Sequence, residues 1–258
     1  MANFTDGYSL RNTICMIKNE TEEMTLNISK TTISILFINK GQYAMHHVDI
    51  KTNELSEYHY HIDRDEYPIT INSAELFNAT KSVGRKDSLK IYWDGEEKLI
   101  IQPIKLTKEP GRCNVSYINI IHKEANKIES INCHYNDPTI MLQNREFYDI
   151  CNQASTLKCI YLEITAFTTD IYFKGVLANG KQGMESHFPI SCKEEKKELI
   201  KIKIPISTLK TLSKLHNIST SGTLLKFYFI QDNPVCIDSK IGAYGVYKIY
   251  LRDYKMIK

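Results

Sequence analysis

The sequence predicts an α+β chain of two similar domains, each setting helices against antiparallel strands. Three observations predict it. One module of roughly 130 residues is written twice. Its strand segments alternate apolar and polar residues, as half-buried antiparallel strands do. Between them, apolar residues recur at helical spacing. The 258 residues are 42% hydrophobic and 24% charged, an ordinary globular mixture with enough chain for one large core or two modest ones. Isoleucine, threonine and tyrosine are plentiful while glycine and proline are scarce, and β-branched and aromatic residues favour strands.

The repeat rests on ordered matches. Ile69-x-Ile71-x4-Leu76-x4-Lys81 returns as Ile202-x-Ile204-x4-Leu209-x4-Lys214 at a constant offset of 133. Leu89-Lys-Ile91-Tyr returns as Leu225-Lys-Phe227-Tyr. Leu26-Asn-Ile28-Ser, leading to Thr31-Thr32-Ile33, returns as Leu162-Glu-Ile164-Thr, leading to Thr168-Thr169 and Ile171. Each copy is expected to carry two helices among short strands. The first helix lies around Leu10, Ile14 and Ile17. The second opens at Asn72, a side chain suited to cap free N–H groups, with Glu75 three residues on; Gly84 fits its C-terminal stop. The third shows one apolar stripe of Phe147, Ile150, Cys151 and Ala154. The fourth turns Ile206, Leu209 and Leu212 one way and Ser207, Lys210, Lys214 and Asn217 the other. Among the strands, Ile200, Ile202 and Ile204 point inward and leave Lys201 and Lys203 outside. Val246 to Leu251 reads as a last strand. The divisions expected are 1–120 for the first domain, 121–139 for a polar connector with Asn126, Asn132, Asn136 and Pro138, and 140–258 for the second domain.

Several chemistries lack their signatures. No P-loop, HExxH, GxSxG or GxGxxG spacing occurs, and nothing argues for an enzyme or a cofactor. Seven cysteines, an odd number without a CxxC pair, read as reduced thiols rather than a disulfide framework. His46-His47 with His59-x-His61 is the best metal candidate. Tyr58, Tyr60 and Ile62 fill the opposite face as in an ordinary strand, however, and no Cys or acidic set completes the ligands, so no metal site is expected. Cys133-His134 has no partner at zinc-finger spacing. Asp63-Arg64-Asp65-Glu66 reads as a solvated turn. Met1 to Leu10 has no apolar signal core and no run approaches a membrane span, so the chain is expected to be soluble and intracellular, with no membrane partner.

A net charge of +3 does not by itself argue for nucleic acid. The distribution says more. Lys81 and Lys214 occupy one place in both copies, and Lys210 lies one turn before Lys214. Arg85 and Lys86 extend the basic end of the second helix, and Arg11 and Lys18 mark the first. Such faces suit tracking phosphates without reading bases. No aromatic residues interleave with the lysines, which disfavours a single-strand stacking platform.

The C-terminal stretch Pro234, Lys240-Ile241, Gly245, Lys248 and Tyr250-Leu251 resembles the eukaryotic and archaeal DNA sliding clamps, the proliferating cell nuclear antigen family. Glu146-Phe147 with Ile150-Cys151, Lys81-Ser-Val-Gly84 with Asp87, and Leu177-Ala-Asn179-Gly180 resemble the same family in the same order. The resemblance implies the DNA clamp fold, with antiparallel sheets outside and four helices per chain on the inner side. Three identical chains would close into a ring around double-stranded DNA, held without sequence specificity. It would act as a processivity factor for a DNA polymerase and other short-motif clients in replication and repair, and be loaded by an ATP-dependent clamp loader. The DNA-facing residues implied are Lys81, Lys210, Lys214, Arg85, Arg11 and Lys18. The third helix carries Asp149 and Asn152 where the family has basic residues. A partner groove is implied between connector and last strand, walled by Ile38, Tyr43, Ile128, Pro234, Tyr250 and Leu251. Arg252-Asp253 stands where the family has a proline. A nucleus or viral replication compartment would be the setting, and the Ile, Lys, Asn and Tyr bias suggests an AT-rich genome such as a large DNA virus or divergent protist. The alternatives are a clamp-like subunit of a heteromeric checkpoint ring, a clamp-fold viral transcription factor acting through protein contacts, and an unrelated two-domain β-rich interaction module.

Overall fold

Both copies of the module fold to one plan. The structure, a computed structural model, describes residues 1–106, 114–124, 128, 137–189, 197–220, 222–230 and 233–252. The first copy runs β1 (Ala2–Phe4), α1 (Gly7–Glu20), β2 (Glu23–Ser29), β3 (Thr32–Ile38), β4 (Ala44–Lys51), β5 (Glu57–Tyr58), β6 (Glu66–Asn72), α2 (Ser73–Thr80), β7 (Ser88–Trp93), β8 (Lys98–Ile104) and β9 (Ser116–His122). The second runs β10 (Ile140–Gln143), α3 (Asn144–Thr156), β11 (Tyr161–Phe167), β12 (Asp170–Val176), β13 (Gln182–Pro189), β14 (Glu198–Pro205), α4 (Ile206–Leu212), β15 (Leu224–Tyr228), β16 (Val235–Ile241) and β17 (Gly245–Leu251).

The strand orders answer each other. β4-β3-β2-β6 in the first copy corresponds to β13-β12-β11-β14 in the second, and β1-β7-β8-β9 to β10-β15-β16-β17. The copies are stitched by β17 on β4, antiparallel from Gly245 opposite Ile50 to Leu251 opposite Ala44. Among the described residues this leaves one sheet of thirteen strands and one of four. Alternation sets the faces. Ile33, Ile35 and Phe37 of β3 are buried, as are Ala44, His46, Val48 and Ile50 of β4, and the residues between them lie on the other face. The repeated Ile69, Ile71 and Leu76 and their counterparts Ile202, Ile204 and Leu209 are all buried, each worth about 1.5–3 kcal/mol relative to exposure. One core cluster runs through both copies.

The helices lie on the core side of these sheets. α1 starts where the Asp6 carboxylate accepts from the Ser9 N–H (3.0 Å) and hydroxyl (2.6 Å). α2 starts at Asn72, whose Oδ1 accepts from Ala74 and Glu75 N–H groups at 2.9 and 3.1 Å, as its sequence position predicts. In α3 the whole stripe of Phe147, Ile150, Cys151 and Ala154 is buried. No helix among the described residues is long and apolar enough to cross a membrane.

Four expectations change. Gly84 does not stop α2: the helix ends at Thr80, whose hydroxyl bonds back to Leu76 O and Phe77 O, a competitor for the backbone pattern. Gly84 instead donates its N–H to Asp87 Oδ2 at 2.7 Å. The fourth helix is α-helical only to Leu212 and continues as a 3-10 turn over Ser213–Asn217, so Lys214 sits in that turn. The strand expected through His59 and His61 ends at Tyr58. β9 carries Ile121 and His122 into the stretch expected as connector; Asn126, Asn132, Cys133, His134 and Asn136 lie outside the described residues.

Candidate nucleic-acid interface

The helices pack as one layer spanning both copies. α1 packs on α2, α3 on α4, and α1 also meets the 3-10 turn after α4. There the Asn12 amide donates to Asn217 O at 2.8 Å, and the Thr211 hydroxyl donates to the Glu20 carboxylate. Each helix buries one stripe in the sheets, so its polar residues gather on the far side.

Lys18, Lys81, Arg85 and Lys210 are exposed, and Arg11 and Lys214 are half-buried. Lys81 stands just beyond α2 as Lys214 stands just beyond α4. The structure brings some of these groups together. Arg11 and Arg85 both lie over the Tyr8 ring, at 5.5 and 6.0 Å. A hydrogen bond from Asn12, then the two guanidinium charges, holds the Tyr8 phenol below its ordinary pKa against the opposing effect of burial. Lys18 Nζ lies 4.8 Å from the Phe77 ring of α2. Such contacts hold a cation in place while leaving its charge outward.

α3 differs, as Asp149 and Asn152 predict. Both are exposed. Its one cation, Arg145, pairs with Asp149 at 3.3 Å and lies 5.0 Å over the Tyr148 ring. Tyr148 in turn contacts His216, ring centroids 4.3 Å apart. Tyr8, Arg145 and His216 were not among the expected site residues. A usable signal exists in the spacing: Tyr8-x2-Arg11 in α1 is answered by Arg145-x2-Tyr148 in α3, the same cation–aromatic pair with its order reversed. A polar cleft of about 640 Å3, lined in part by Tyr8, Arg85, Asn144, Arg145 and His216, separates the two pairs.

The opposite face of the sheet carries an apolar row. Tyr228, Cys236, Tyr250, Met45 and Ile38 are successive cross-strand partners over β15, β16, β17, β4 and β3. Tyr228, Cys236 and Tyr250 form a buried cluster apart from the main core, with Met45 against it, while Ile38 remains 44% exposed. Pro234 and Ile128 are half-buried. Two expected groove walls lie elsewhere. Leu251 takes the other parity in β17 and is buried in the main core. Tyr43 also packs on the main core, and its hydroxyl bonds Ser207 Oγ of α4 at 2.7 Å. The row beside this one is charged: Lys226, Asp238, Lys248 and His47 are successive partners. Burial there raises the Asp238 carboxyl, with the three nearby lysines opposing.

The histidine pairs do not converge. His46 is buried while His59 and His61 are exposed, with their rings stacked 6.0 Å apart. No cluster of three metal-ligating groups occurs among the described residues.

No protein-family model and no curated protein matches the sequence. Solved structures do. A chain of the PCNA2–PCNA3 complex from Sulfolobus tokodaii superposes with a TM-score of 0.78 at 14% identity, covering 98% of each chain. Proliferating cellular nuclear antigen from Entamoeba histolytica gives 0.77 at 15% identity, covering 97% of this chain and 96% of the other. Over nearly its whole length the chain has the sliding-clamp fold of proliferating cell nuclear antigen.

Proposed function

We propose that the chain is a DNA sliding clamp, a ring-forming tether without catalysis of its own. The observation that carries this reading is the seam between copies. β17 of the second copy pairs with β4 of the first. Their counterparts in the repeat are β9 and β13. Among the described residues β13 is one edge of the four-stranded sheet, and β9 gives β6 only its last residues. Unpaired edges of this length invite strand addition. Repeating the seam sets β9 of one copy on β13 of the next, a head-to-tail contact that closes into a ring when the rotation allows. Tyr117 and Ile121, 64% and 48% exposed on β9, are the apolar groups such a contact covers.

In a ring of three, the helix layer faces the hole. Lys81, Lys210, Lys214, Arg85, Arg11 and Lys18 exchange with counterions of duplex DNA without fixing a register. The apolar row through Tyr250 and Met45 serves short client motifs of a DNA polymerase and other partners, which gain effective concentration at the primer end. With β9 carrying the first domain to His122, residues 123–139 act as the connector and 140–258 as the second domain. An ATP-dependent loader opens the ring, in the nucleus or a viral replication compartment. The acidic α3 gives some support to a second reading, in which this chain supplies one subunit of a heteromeric ring.

Light scattering on the purified protein at micromolar concentration tests this. The expected mass is three chains. The double variant Y117E/I121E, altered only at exposed positions, is expected to run as one chain with an unchanged melting temperature. A wild-type mass of one chain sinks the homotrimer and leaves a heteromeric ring or a clamp-fold factor working through protein contacts alone.

A further inference from the structure

The core of the first copy contains an apolar cavity of about 360 Å3, and the repeat explains its origin. Leu10 of α1, Ile35 of β3 and Ile91 of β7 line it. Their counterparts in the second copy are Phe147, Phe173 and Phe227. Leu10 and Phe147 are each the fourth residue of their helix; Ile33-x-Ile35 matches Ile171-x-Phe173; Leu89-x-Ile91 matches Leu225-x-Phe227. In the second copy the three rings meet, with centroids 5.3 to 6.4 Å apart. Three aliphatic chains thus stand where three mutually packed rings fill the other core. Interiors otherwise close-pack, and this one keeps space.

The rest of the wall is mostly aliphatic, from Ile14, Met24 and Ile69 among others. This aliphatic inner wall offers water few partners, with polar groups from Tyr58, Tyr60, His59, His61 and Asp94 among the lining. It reaches the surface where its lining residues are exposed, at His59, His61, Asp94 and Gly95. Asp94 is occupied there, its carboxylate accepting from the Glu96 and Lys98 N–H groups. His61 has a ring N–H in either tautomer for a ligand's polar end. An apolar cavity of about 150 Å3 holds benzene, so by volume this one holds roughly 14 carbon-sized atoms.

We propose that the first copy binds a medium-chain fatty acid, its alkyl chain inside the cavity and its carboxylate at the mouth beside His61. The site lies inside the core and is independent of any ring. Trp93, the one tryptophan of the chain, lines the cavity and reports on it directly.

Titration of the full chain with dodecanoate is expected to change Trp93 emission saturably, below the micelle concentration, and to raise the melting temperature by several degrees. I35F and I91F each place a ring where the second copy has one. Each is expected to keep or raise the ligand-free melting temperature and to weaken dodecanoate binding at least tenfold. H61A is expected to weaken dodecanoate several-fold and leave dodecanol binding unchanged. A wild-type titration without a saturable Trp93 response overturns the proposal, whatever the variants do. So does equal binding by a folded I35F or I91F.

Discussion

His46 is a titratable ring with no water around it. It is 0% exposed, stacks on Phe37 with ring centroids 4.7 Å apart, and shares an Nδ1 hydrogen bond of 3.1 Å with the Tyr247 hydroxyl. Its Nε2 has no hydrogen-bond partner among the described residues. Burial lowers its pKa from the ordinary 6.5 to about 3. The unfolded chain therefore binds a proton in that range which the folded chain refuses. The stability this neutral ring preserves is complete above about pH 6.5 and drains away as pH falls towards 3. Replacing His46 alone strands the buried Tyr247 hydroxyl and costs about 1–3 kcal/mol at neutral pH. The double variant H46F/Y247F removes both polar partners at similar shape and is expected to lose less than H46F. It should also flatten the dependence of melting temperature on pH between 6.5 and 4, read by calorimetry across a buffer series. A wild-type slope in the double variant would assign that slope to other groups. In the sequence His46 stood out only as half of the His46-His47 pair. The sequence did not show that a tyrosine on a distant strand would meet the ring, because that contact depends on β17 lying on β4.

At the scale of the helix, charge is the open variable. α1, α4 and the turn after α2 carry exposed cations, whereas α3 carries Glu146, Asp149 and an Arg145 that is already paired. Asp149 and Asn152 are exposed, so D149R/N152R should fold normally. It is expected to tighten duplex binding about tenfold at low salt and steepen the salt dependence, by about 0.9 in log–log slope for each phosphate newly contacted. K81E/K210E/K214E is expected to do the reverse while leaving the assembly mass unchanged. Anisotropy on a labelled duplex over a salt series reads both; a triple variant that fails to assemble would mean these side chains lie in the subunit contact. The helices themselves were legible because an amphipathic stripe and a cap are local. The end of α2 and the 3-10 turn around Lys214 were not: a threonine bonding its own helix, and a tightened last turn, cost too little to leave a pattern in the sequence.

At the scale of the molecule, the repeat was the most informative signal. It placed the paired helices, the shared lysine position and the equivalent strands before any contact was known, although β2 and β11 match two residues away from the register first read: Leu26 faces Ile69, and it is Ile164, not Leu162, that faces the counterpart Ile202. It could not place the apolar row from Tyr228 to Ile38. That row needs the register of five strands, and a shift of one residue would turn each side chain to the other face. The inward turn of Leu251 follows from the same parity: adjacent to Tyr250, it points the opposite way. The aromatic core of the second copy and the aliphatic core of the first are also visible as letters, but the space between the latter is a property of packing alone.

The β17–β4 seam also dictates an order of events during synthesis. β4 leaves the ribosome with β3 on one side and nothing on the other, and waits through all of the second copy before its partner is made. Until then the nascent chain displays a long open edge, the feature most prone to pair with a neighbouring chain. A chain ending before Gly245 would keep that edge permanently. It is expected to form soluble oligomers or precipitate where the full chain does not, measured by light scattering during refolding at matched concentration. The strand that completes the first copy is thus the last of the described strands to arrive, and the first copy is most vulnerable in the interval before it does.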